Sequence, residues 1–346
     1  MRMKIFIRLV GAVVFLSSIF GCAERLQPGL DGGPEESRPV IFRFGTSAPT
    51  RTAYREGSWS DVQPIDWVDG DRIRVYSPQA SLPYGSLAVH WADYIVSPKD
   101  DRSRGTASPV GGTGLSWVAS NRHAFYGVYP APGGNSPAAE ASALAGRFTF
   151  TLPATQTHGD QMGYAYLVAF TETEQVSGTV ELPFHAAYTA YDISIDGNDA
   201  DRFMLNELSL ETADPDGCPL SGTYTVRTGA GGPSVVSFGE TTGKVTVTFP
   251  GEGVELVAGH PVRILVLAAP SAATGVTLST VRTWNGIRAS HALPLKRTDG
   301  AWHSFAPFTY NRIDGVVTPE QTKLITVNSY TTAWNPQGSG RTEVIP

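Results

Sequence analysis

The sequence predicts an all-β chain. Short runs rich in Val, Tyr, Phe, Trp and Thr recur along its 346 residues, separated by turns that use many of the 37 Gly and 25 Pro residues. This pattern is typical of half-buried strands, and many short strands favour β-sandwiches. At about 100–200 residues per domain, the length indicates two domains, each large enough to bury its own core.

Charge and cysteine content exclude several classes of partner and site. The chain carries 26 basic and 32 acidic residues, a net charge of −6. An acidic surface without basic runs argues against nucleic acid binding and against electrostatic docking on anionic lipid. The two cysteines, Cys22 and Cys218, are too few for a cysteine-rich zinc site.

Residues 1–21 have the features of a secretory signal peptide. Basic residues precede the apolar run 9–20, which is shorter than the about 20 residues that a membrane-spanning helix needs. Gly21 directly before Cys22 resembles the lipobox of bacterial lipoproteins. We therefore predict a lipid on Cys22, which leaves Cys218 without a disulfide partner. An ordinary signal peptide with an incidental cysteine is the alternative.

A spacer, a strand and an arginine-bearing loop follow in series. Residues 22–39 contain Pro and Gly without hydrophobic periodicity, which predicts a flexible, solvated spacer. Residues 40–45, Val-Ile-Phe-Arg-Phe-Gly, predict a short apolar strand. The loop after this strand contains Arg51, and Arg55 lies just beyond it.

Further strands are predicted wherever short apolar runs lie between turn residues. They are residues 73–75, 87–95, 123–129, 148–152, 164–170, 180–184, 188–195, 205–210, 223–226, 245–249, 262–268, 276–284, 303–308 and 324–330. Residues 137–144 are Ala-rich and predict one short helix. A domain boundary near 177–187 gives an N-terminal domain over 40–182 and a C-terminal domain over 183–346.

The sequence contains no catalytic motif that we recognise. It lacks an HExxH pair, a nucleophile elbow, a Walker loop and a dinucleotide-binding fingerprint, and its seven histidines are scattered. Carboxylate pairs such as Glu172 and Glu174 are expected to face solvent, although a glycosidase with two distant carboxylates stays open. We predict a non-enzymatic protein without a cofactor or a metal ion.

Two acidic loops and the tryptophans leave alternatives open. Asp66, Asp69 and Asp71, and separately residues 196–201 with Glu207, suggest calcium ligands, but polar loops between strands are the favoured interpretation. Large aromatic residues can stack on sugars, but in strands they are more often core. The tryptophans weighed in this way are Trp67, Trp91, Trp117, Trp284, Trp302 and Trp334.

An ordered series of short motifs resembles the fimbrillin family, the surface lipoproteins and pilus subunits of Bacteroides-type bacteria. The lipobox and the spacer come first. The later motifs are TRT at 50–52, WVDGDRIRV at 67–75, AFYGVYP at 124–130, FTLPATQ at 150–156, VELPFH at 180–185 and LSGTYTV at 220–226. The series covers nearly the whole chain, and its order carries the resemblance.

The resemblance implies two β-sandwich domains of transthyretin-like topology and export to the outer membrane as a lipoprotein. It also implies that an arginine-specific protease removes the first strand and that a strand of a neighbouring subunit fills the groove. In this chain the removable strand is 40–45, and the cut follows Arg51, with Arg55 and Arg43 as alternatives. Arg43 is the least favoured, because it lies inside the strand.

The C-terminal region, residues 323–334 with the tail to 346, would supply the donor strand. An ordinary last strand is the equal alternative. We predict a surface-exposed fimbrillin-like pilus subunit, or a tip or anchor component, that serves adhesion and binds other fimbrial subunits. The rival is a stand-alone surface glycan-binding lipoprotein, and a hydrolase with unrecognised carboxylates is a third class. The adhesion ligand is left open.

Overall fold

The computed structural model describes most of the chain after residue 37. The described ranges are 38–46, 53–54, 65–82, 89–100, 102–118, 122–174, 178–198, 202–317, 322–330 and 341–344. They all belong to one compact unit, Ser37–Pro346. The predicted signal peptide, Cys22 and nearly all of the predicted spacer therefore lie outside the described residues.

The described chain consists of strands with one short α-helix, which confirms the all-β prediction. In chain order the strands are β1 (Ile41–Thr46), β2 (Ala53–Tyr54), β3 (Ile65–Asp66), β4 (Arg72–Tyr76), β5 (Trp91–Pro98), β6 (Arg104–Pro109), β7 (His123–Tyr129), β8 (Arg147–Leu152), β9 (Thr155–Thr157), β10 (Leu167–Thr173), β11 (Thr179–Ala186), β12 (Thr189–Asp196), β13 (Phe203–Thr212), β14 (Ser221–Arg227), β15 (Ser234–Thr242), β16 (Lys244–Thr248), β17 (Val254–Leu256), β18 (Val262–Ala268), β19 (Ala273–Thr274), β20 (Val276–Trp284), β21 (Ile287–Pro294), β22 (Ser304–Phe305), β23 (Tyr310–Val317), β24 (Thr322–Tyr330) and β25 (Arg341–Val344). Short 3₁₀ helices span Val110–Gly112 and Gln161–Tyr164.

The helix α1, Pro137–Leu144, covers the residues that the Ala-rich sequence predicts. Its start is set locally, because Ser136 Oγ accepts a hydrogen bond from the Ala139 N–H at 3.2 Å and Pro137 occupies the first turn. The amide of Asn135 donates to the Glu140 carboxylate at 2.8 Å. No helix within the described ranges is long and apolar enough to span a membrane.

The first half of the compact unit is a closed sheet of seven strands, in the order β1-β11-β10-β7-β4-β5-β6. A hydrophobic core lies inside this closed sheet. Its largest fully buried side chains include Trp67, Tyr94, Phe42, Phe44, Phe125 and Phe184.

The second half consists mainly of two sheets. One has the order β18-β12-β23-β24-β25, and the other has the order β21-β20-β13-β16-β9, with β17 paired to β13. Side chains of both sheets pack into a second core, as in a β-sandwich. That core includes Tyr191, Ile193, Leu208, Leu210 and Val266.

The same arrangement of three strands occurs in both halves. In the first half, β1 lies between the antiparallel strand β6 and the parallel strand β11. In the second half, β12 lies between the antiparallel strand β18 and the parallel strand β23. Because the sequence shows no strong internal repeat, this correspondence is visible only in the strand pairing.

Strands from the two halves also pair with each other. β8 is antiparallel to β14, and β9 is parallel to β16. Gln156 of β9 is 1% exposed, and its carboxamide donates to the Leu267 carbonyl at 2.6 Å and accepts from the Leu267 N–H at 3.2 Å. Since β18 is an edge strand, this side chain satisfies backbone groups that the sheet leaves free. Residues 147–157 therefore tie the two halves together.

Some predicted strands begin or end elsewhere. The strand predicted at 164–170 begins at Leu167, because a 3₁₀ helix occupies Gln161–Tyr164. The strand predicted at 303–308 is reduced to Ser304–Phe305. Phe308 has a φ of 59°, a left-handed conformation that interrupts an extended run.

Candidate functional site

The strand β1 is hydrogen-bonded into the closed sheet along both edges. Six of its residues pair with β11 and four pair with β6. Pairing continues before it, because the Val40 N–H donates to the Leu115 carbonyl at 2.8 Å and the Trp117 N–H donates to the Arg38 carbonyl at 2.9 Å. Removal of β1 would therefore leave two unpaired strand edges, on β6 and on β11.

The side chains of β1 alternate between the core and the solvent. Phe42 is 0% and Phe44 is 1% exposed. The ring of Phe42 lies edge-on to Tyr94, with centroids 5.0 Å apart, and to Phe125, at 5.3 Å. The ring of Phe44 contacts Trp67 at 5.3 Å. Two aromatic side chains of β1 therefore fill the centre of the first core.

The groove beneath β1 is shaped around these two rings. A Cβ atom at Gly105 of β6 would lie 2.7 Å from Cε2 of Phe44 and 2.5 Å from the Ser97 carbonyl oxygen. Glycine at this position therefore leaves room for the Phe44 ring. Trp67 closes that end of the groove, with centroids 5.4 Å from Tyr129 and 5.3 Å from Phe184.

The hydroxyl of Tyr94 is the polar group beside the Phe42 ring. It accepts a hydrogen bond from the Leu115 N–H at 2.8 Å. Burial raises the pKa of Tyr94, so that the phenol stays neutral at physiological pH. The groove is therefore uncharged at this point and suits an apolar side chain.

Among the predicted processing and attachment residues, Arg43 is the one that the structure describes. It is exposed and lies in β1, aligned with Glu181 of β11 and Thr106 of β6. A residue whose backbone is paired on both sides cannot enter the extended binding groove of a protease while the strand stays in place. Cys22, Arg51 and Arg55 lie outside the described residues and stay predictions.

The predicted donor segment falls partly on the C-terminal hairpin. β24 is antiparallel to β23, and β25 pairs with the outer edge of β24. Val327 of β24 is buried in the second core. In this structure β24 therefore occupies a place in its own sheet, and residues 331–340 lie outside the described part.

The acidic loop at 66–71 is held by internal hydrogen bonds. One carboxylate oxygen of Asp71 accepts from the Val68 N–H at 2.8 Å, and the other accepts from the Tyr129 hydroxyl at 3.1 Å. Gly70 has a φ of 89°, as a tight turn requires. Among the residues with described positions, no group of three His, Cys, Asp or Glu could hold a metal ion.

The tryptophans with described positions differ in their surroundings. Trp67 and Trp117 are buried, which confirms the core interpretation for these two. The Arg74 guanidinium lies 4.0 Å from the centroid of the Trp91 ring, and the Lys296 ammonium lies 5.0 Å from that of Trp302. Trp284 packs at the margin of the second core. Trp334 lies outside the described residues.

His185 of β11 predicts an acid-sensitive fold. Burial lowers the pKa of His185 to about 4, below the about 6.5 of an exposed histidine. The folded state therefore resists protonation, so its stability is complete above about pH 6.5 and falls as the pH drops towards 4. The expected loss is at most about 3 kcal/mol, measured by urea unfolding between about pH 7 and pH 4.5.

The variant His185→Gln is the control for this prediction. It keeps a polar side chain but does not titrate, so its stability should fall less steeply over the same pH range. Carboxylates titrate in the same way in both proteins, so their contribution cancels when one profile of unfolding free energy against pH is subtracted from the other. Parallel pH profiles for the two proteins would contradict the assignment to His185.

Comparison with solved structures relates the fold to known proteins. No family model and no curated protein matches the chain. The structure is similar to a candidate cell adhesion protein from Bacteroides uniformis, with TM-score 0.52, 15% identity and coverage of 86% of this chain and 99% of that one. A candidate cell adhesion protein from Bacteroides ovatus gives TM-score 0.50, 11% identity and coverage of 90% and 99%.

A third solved structure, the tip fimbrial protein Mfa3 from Porphyromonas gingivalis, gives TM-score 0.46, 9% identity and coverage of 84% of this chain and 98% of that one. At these identities the first two similarities concern the fold. The chain therefore has the fold of the two Bacteroides proteins, and its predicted resemblance to the fimbrillin family is confirmed at the level of the fold.

Proposed function

We propose that this protein is a non-enzymatic, surface-exposed fimbrillin-like lipoprotein that acts in adhesion as a pilus subunit or as a tip or anchor component. The observation that carries the proposal is the position of β1 between β6 and β11, with two phenylalanine rings in the core. The fold shared with two candidate cell adhesion proteins supports it.

The proposed assembly step is strand exchange triggered by proteolysis. A cut after Arg51 separates β1 from the rest of the chain, so that β1 can leave the groove. Without β1 the core loses two buried aromatic side chains, each of which contributes about 3–5 kcal/mol to the free energy of unfolding. The strand edges of β6 and β11 are then unpaired. A strand from a neighbouring subunit, such as the region 323–334, restores both, and repetition of this heterologous contact gives a filament.

The proposed organisation follows the sequence analysis. Residues 1–21 are a signal peptide, Cys22 carries the lipid in the outer membrane, and residues 22–39 are a spacer. Two sandwich domains of transthyretin-like topology cover 40–182 and 183–346. Acyl chains hold the protein at the membrane because each buried CH₂ contributes about 0.8 kcal/mol.

The test uses the soluble chain 23–346, which contains the whole compact unit Ser37–Pro346. It is treated with an arginine-specific protease at low dose, the new N-terminus is read by mass spectrometry, and unboiled samples are run on a gel. The expected result is one cut after Arg51 followed by a ladder of polymers. The variant Arg51→Gln should give neither the cut nor the ladder.

A disulfide between β1 and β6 separates cleavage from exchange. Arg43 and Thr106 are exposed register partners in an antiparallel pair, whose Cα atoms lie about 4.5–5.5 Å apart, within disulfide range. The double variant Arg43→Cys/Thr106→Cys should be cut but form polymers only after reduction. The buried Cys218 does not compete for oxidation.

Other outcomes of these tests bear on the role of the protein. Polymers that form while the disulfide is closed would refute exchange of β1. Cleavage without polymers in the unlocked chain would assign a tip or anchor role. A chain that stays uncut and monomeric would favour the rival role as a stand-alone glycan-binding lipoprotein.

A further inference from the structure

Two arginines face each other across β8 and β14. The strand register places Arg147 directly opposite Arg227, and both side chains are exposed. Like charges directly opposite each other destabilise an antiparallel pair. Among the ion pairs of the described residues, none includes either guanidinium. The fold therefore keeps two positive charges together on a protein that is acidic overall.

The carboxylate that lines the cavity beside Arg227 is engaged elsewhere. Glu172 lies beside the same cavity as Arg227, but it forms an ion pair with Arg122. Two adjacent guanidinium groups offer planar, bidentate donors that suit a carboxylate or sulfate oxygen pair.

A row of hydroxyl groups leads away from the two arginines on the same face of the sheet. The Thr149 and Thr225 Oγ1 atoms are 2.9 Å apart, and those of Thr151 and Thr223 are 3.0 Å apart. Thr149 and Thr151 follow Arg147 at every second position of β8. Thr223 and Thr225 precede Arg227 at every second position of β14. This face therefore presents polar groups that can exchange hydrogen bonds with a hydroxyl-rich ligand.

A cavity with aromatic walls adjoins each arginine. The cavity beside Arg147 has a volume of about 470 Å³, and its lining includes the half-buried Tyr166 and the buried Tyr76, Phe148 and Phe150. The cavity beside Arg227 has about 500 Å³. Its wall contains Tyr126 and Phe170, whose ring centroids are 5.1 Å apart, and its rim is the glycine-rich turn 229–232. Both volumes lie in the range of small-ligand sites.

We propose that the Arg147–Arg227 pair and its two flanking cavities bind an acidic saccharide. The two guanidinium groups hold a sugar carboxylate, and neighbouring sugar rings lie against the aromatic walls. The hydroxyl row and the aromatic side chains of the cavities favour a saccharide, whose hydroxyl groups and ring faces they match. This site is separate from the β1 groove and does not depend on strand exchange.

The test is isothermal titration of the full chain with a trigalacturonate, compared with the neutral maltotriose. We expect the acidic trisaccharide to bind and Arg147→Gln and Arg227→Gln each to weaken it by about tenfold or more, as loss of a charged hydrogen-bonding group does. Arg104→Gln, at an exposed arginine of β6, is the matched control and should leave binding unchanged.

A second readout separates a binding role from a structural one. Because the two like charges repel each other, each glutamine variant should keep or raise the midpoint of thermal unfolding while binding weakens. Equal affinity for maltotriose and trigalacturonate would overturn the proposal. So would equal affinity for a penta-glutamate peptide, or binding that survives the double variant Arg147→Gln/Arg227→Gln.

Discussion

Phe42→Ala should lower the free energy of unfolding by about 3–5 kcal/mol. The ring is fully buried between Tyr94 and Phe125 in a central strand, so the surrounding core cannot collapse into the space that it leaves. Urea unfolding followed by tryptophan fluorescence measures the change, because Trp67 and Trp117 report on the same core.

Ile41→Ala is the matched control for this prediction. Ile41 is the neighbouring residue in β1, but it is 53% exposed, and its replacement should cost about 0.5 kcal/mol or less. Equal losses for Phe42→Ala and Ile41→Ala would show that β1 does not anchor the core through its inward face. In that case its removal would not create the unstable groove on which strand exchange depends.

Asp192→Ala should be the other severe substitution, with a loss of about 3–5 kcal/mol. Asp192 in β12 is 4% exposed and accepts two hydrogen bonds from the Arg263 guanidinium, both at 2.6 Å. It also accepts a hydrogen bond from the Tyr310 hydroxyl. The oxygen of that hydroxyl accepts a hydrogen bond from the Arg263 guanidinium at 3.1 Å. The substitution removes the buried carboxylate that Arg263 and Tyr310 share, and urea unfolding measures the cost.

An exposed ion pair provides the control for Asp192. Glu211 and Lys244 lie 3.5 Å apart, and more than half of each side chain is exposed. Glu211→Gln should therefore change stability by about 0–1 kcal/mol. A comparably small effect of Asp192→Ala would contradict the structural role of the Asp192–Arg263–Tyr310 group.

The Tyr310 hydroxyl is the neutral hydrogen-bond donor of the Asp192–Arg263–Tyr310 group. Burial, followed by the neighbouring Asp192 charge, raises the pKa of Tyr310. The hydroxyl therefore keeps its proton at physiological pH and can donate to Asp192. β12 occupies in the second half the place that β1 occupies in the first, and this group holds β12, whose removal we do not propose.

Local patterns predicted the strands that contain short apolar runs between turn residues. The strands at His123–Tyr129, Val262–Ala268 and Val276–Trp284 have the predicted bounds. By contrast, β23 was missed because Asp314-Gly315 suggests a turn. In the structure the strand continues through it, held by β12 on one side and β24 on the other, with an irregular register at that point.

Strands that are exposed on both faces were hardest to predict, because they carry no buried apolar face. β15 and β21 are exposed along most of their length. The signal that could have found β21 is Asn285-Gly286, which joins it to β20 with positive φ values of 46° and 78°. β6 was not predicted because it lacks large apolar side chains. At one of its positions, Gly105, the Phe44 ring leaves no room for a side chain.

For the candidate groove, the sequence predicted the strand that fills it but not the residues that line it. The short apolar run 40–45 predicted β1, but the contacts of Phe42 with Tyr94 and Phe125 join residues far apart in the chain. The pairing of Arg147 with Arg227 depends likewise on a register between distant strands. Such register is set by the packing of the whole core, and one sequence without an alignment carries no direct signal of it.

The two-sided pairing of β1 also determines how this strand responds to a pulling force. A load along its axis acts on the hydrogen bonds to β11 and β6 at the same time, so the strand cannot be peeled away bond by bond. Sliding by one residue would turn Arg43 into the core and both phenylalanines outward. We therefore expect the strand to resist tension along its axis until all of these hydrogen bonds break together.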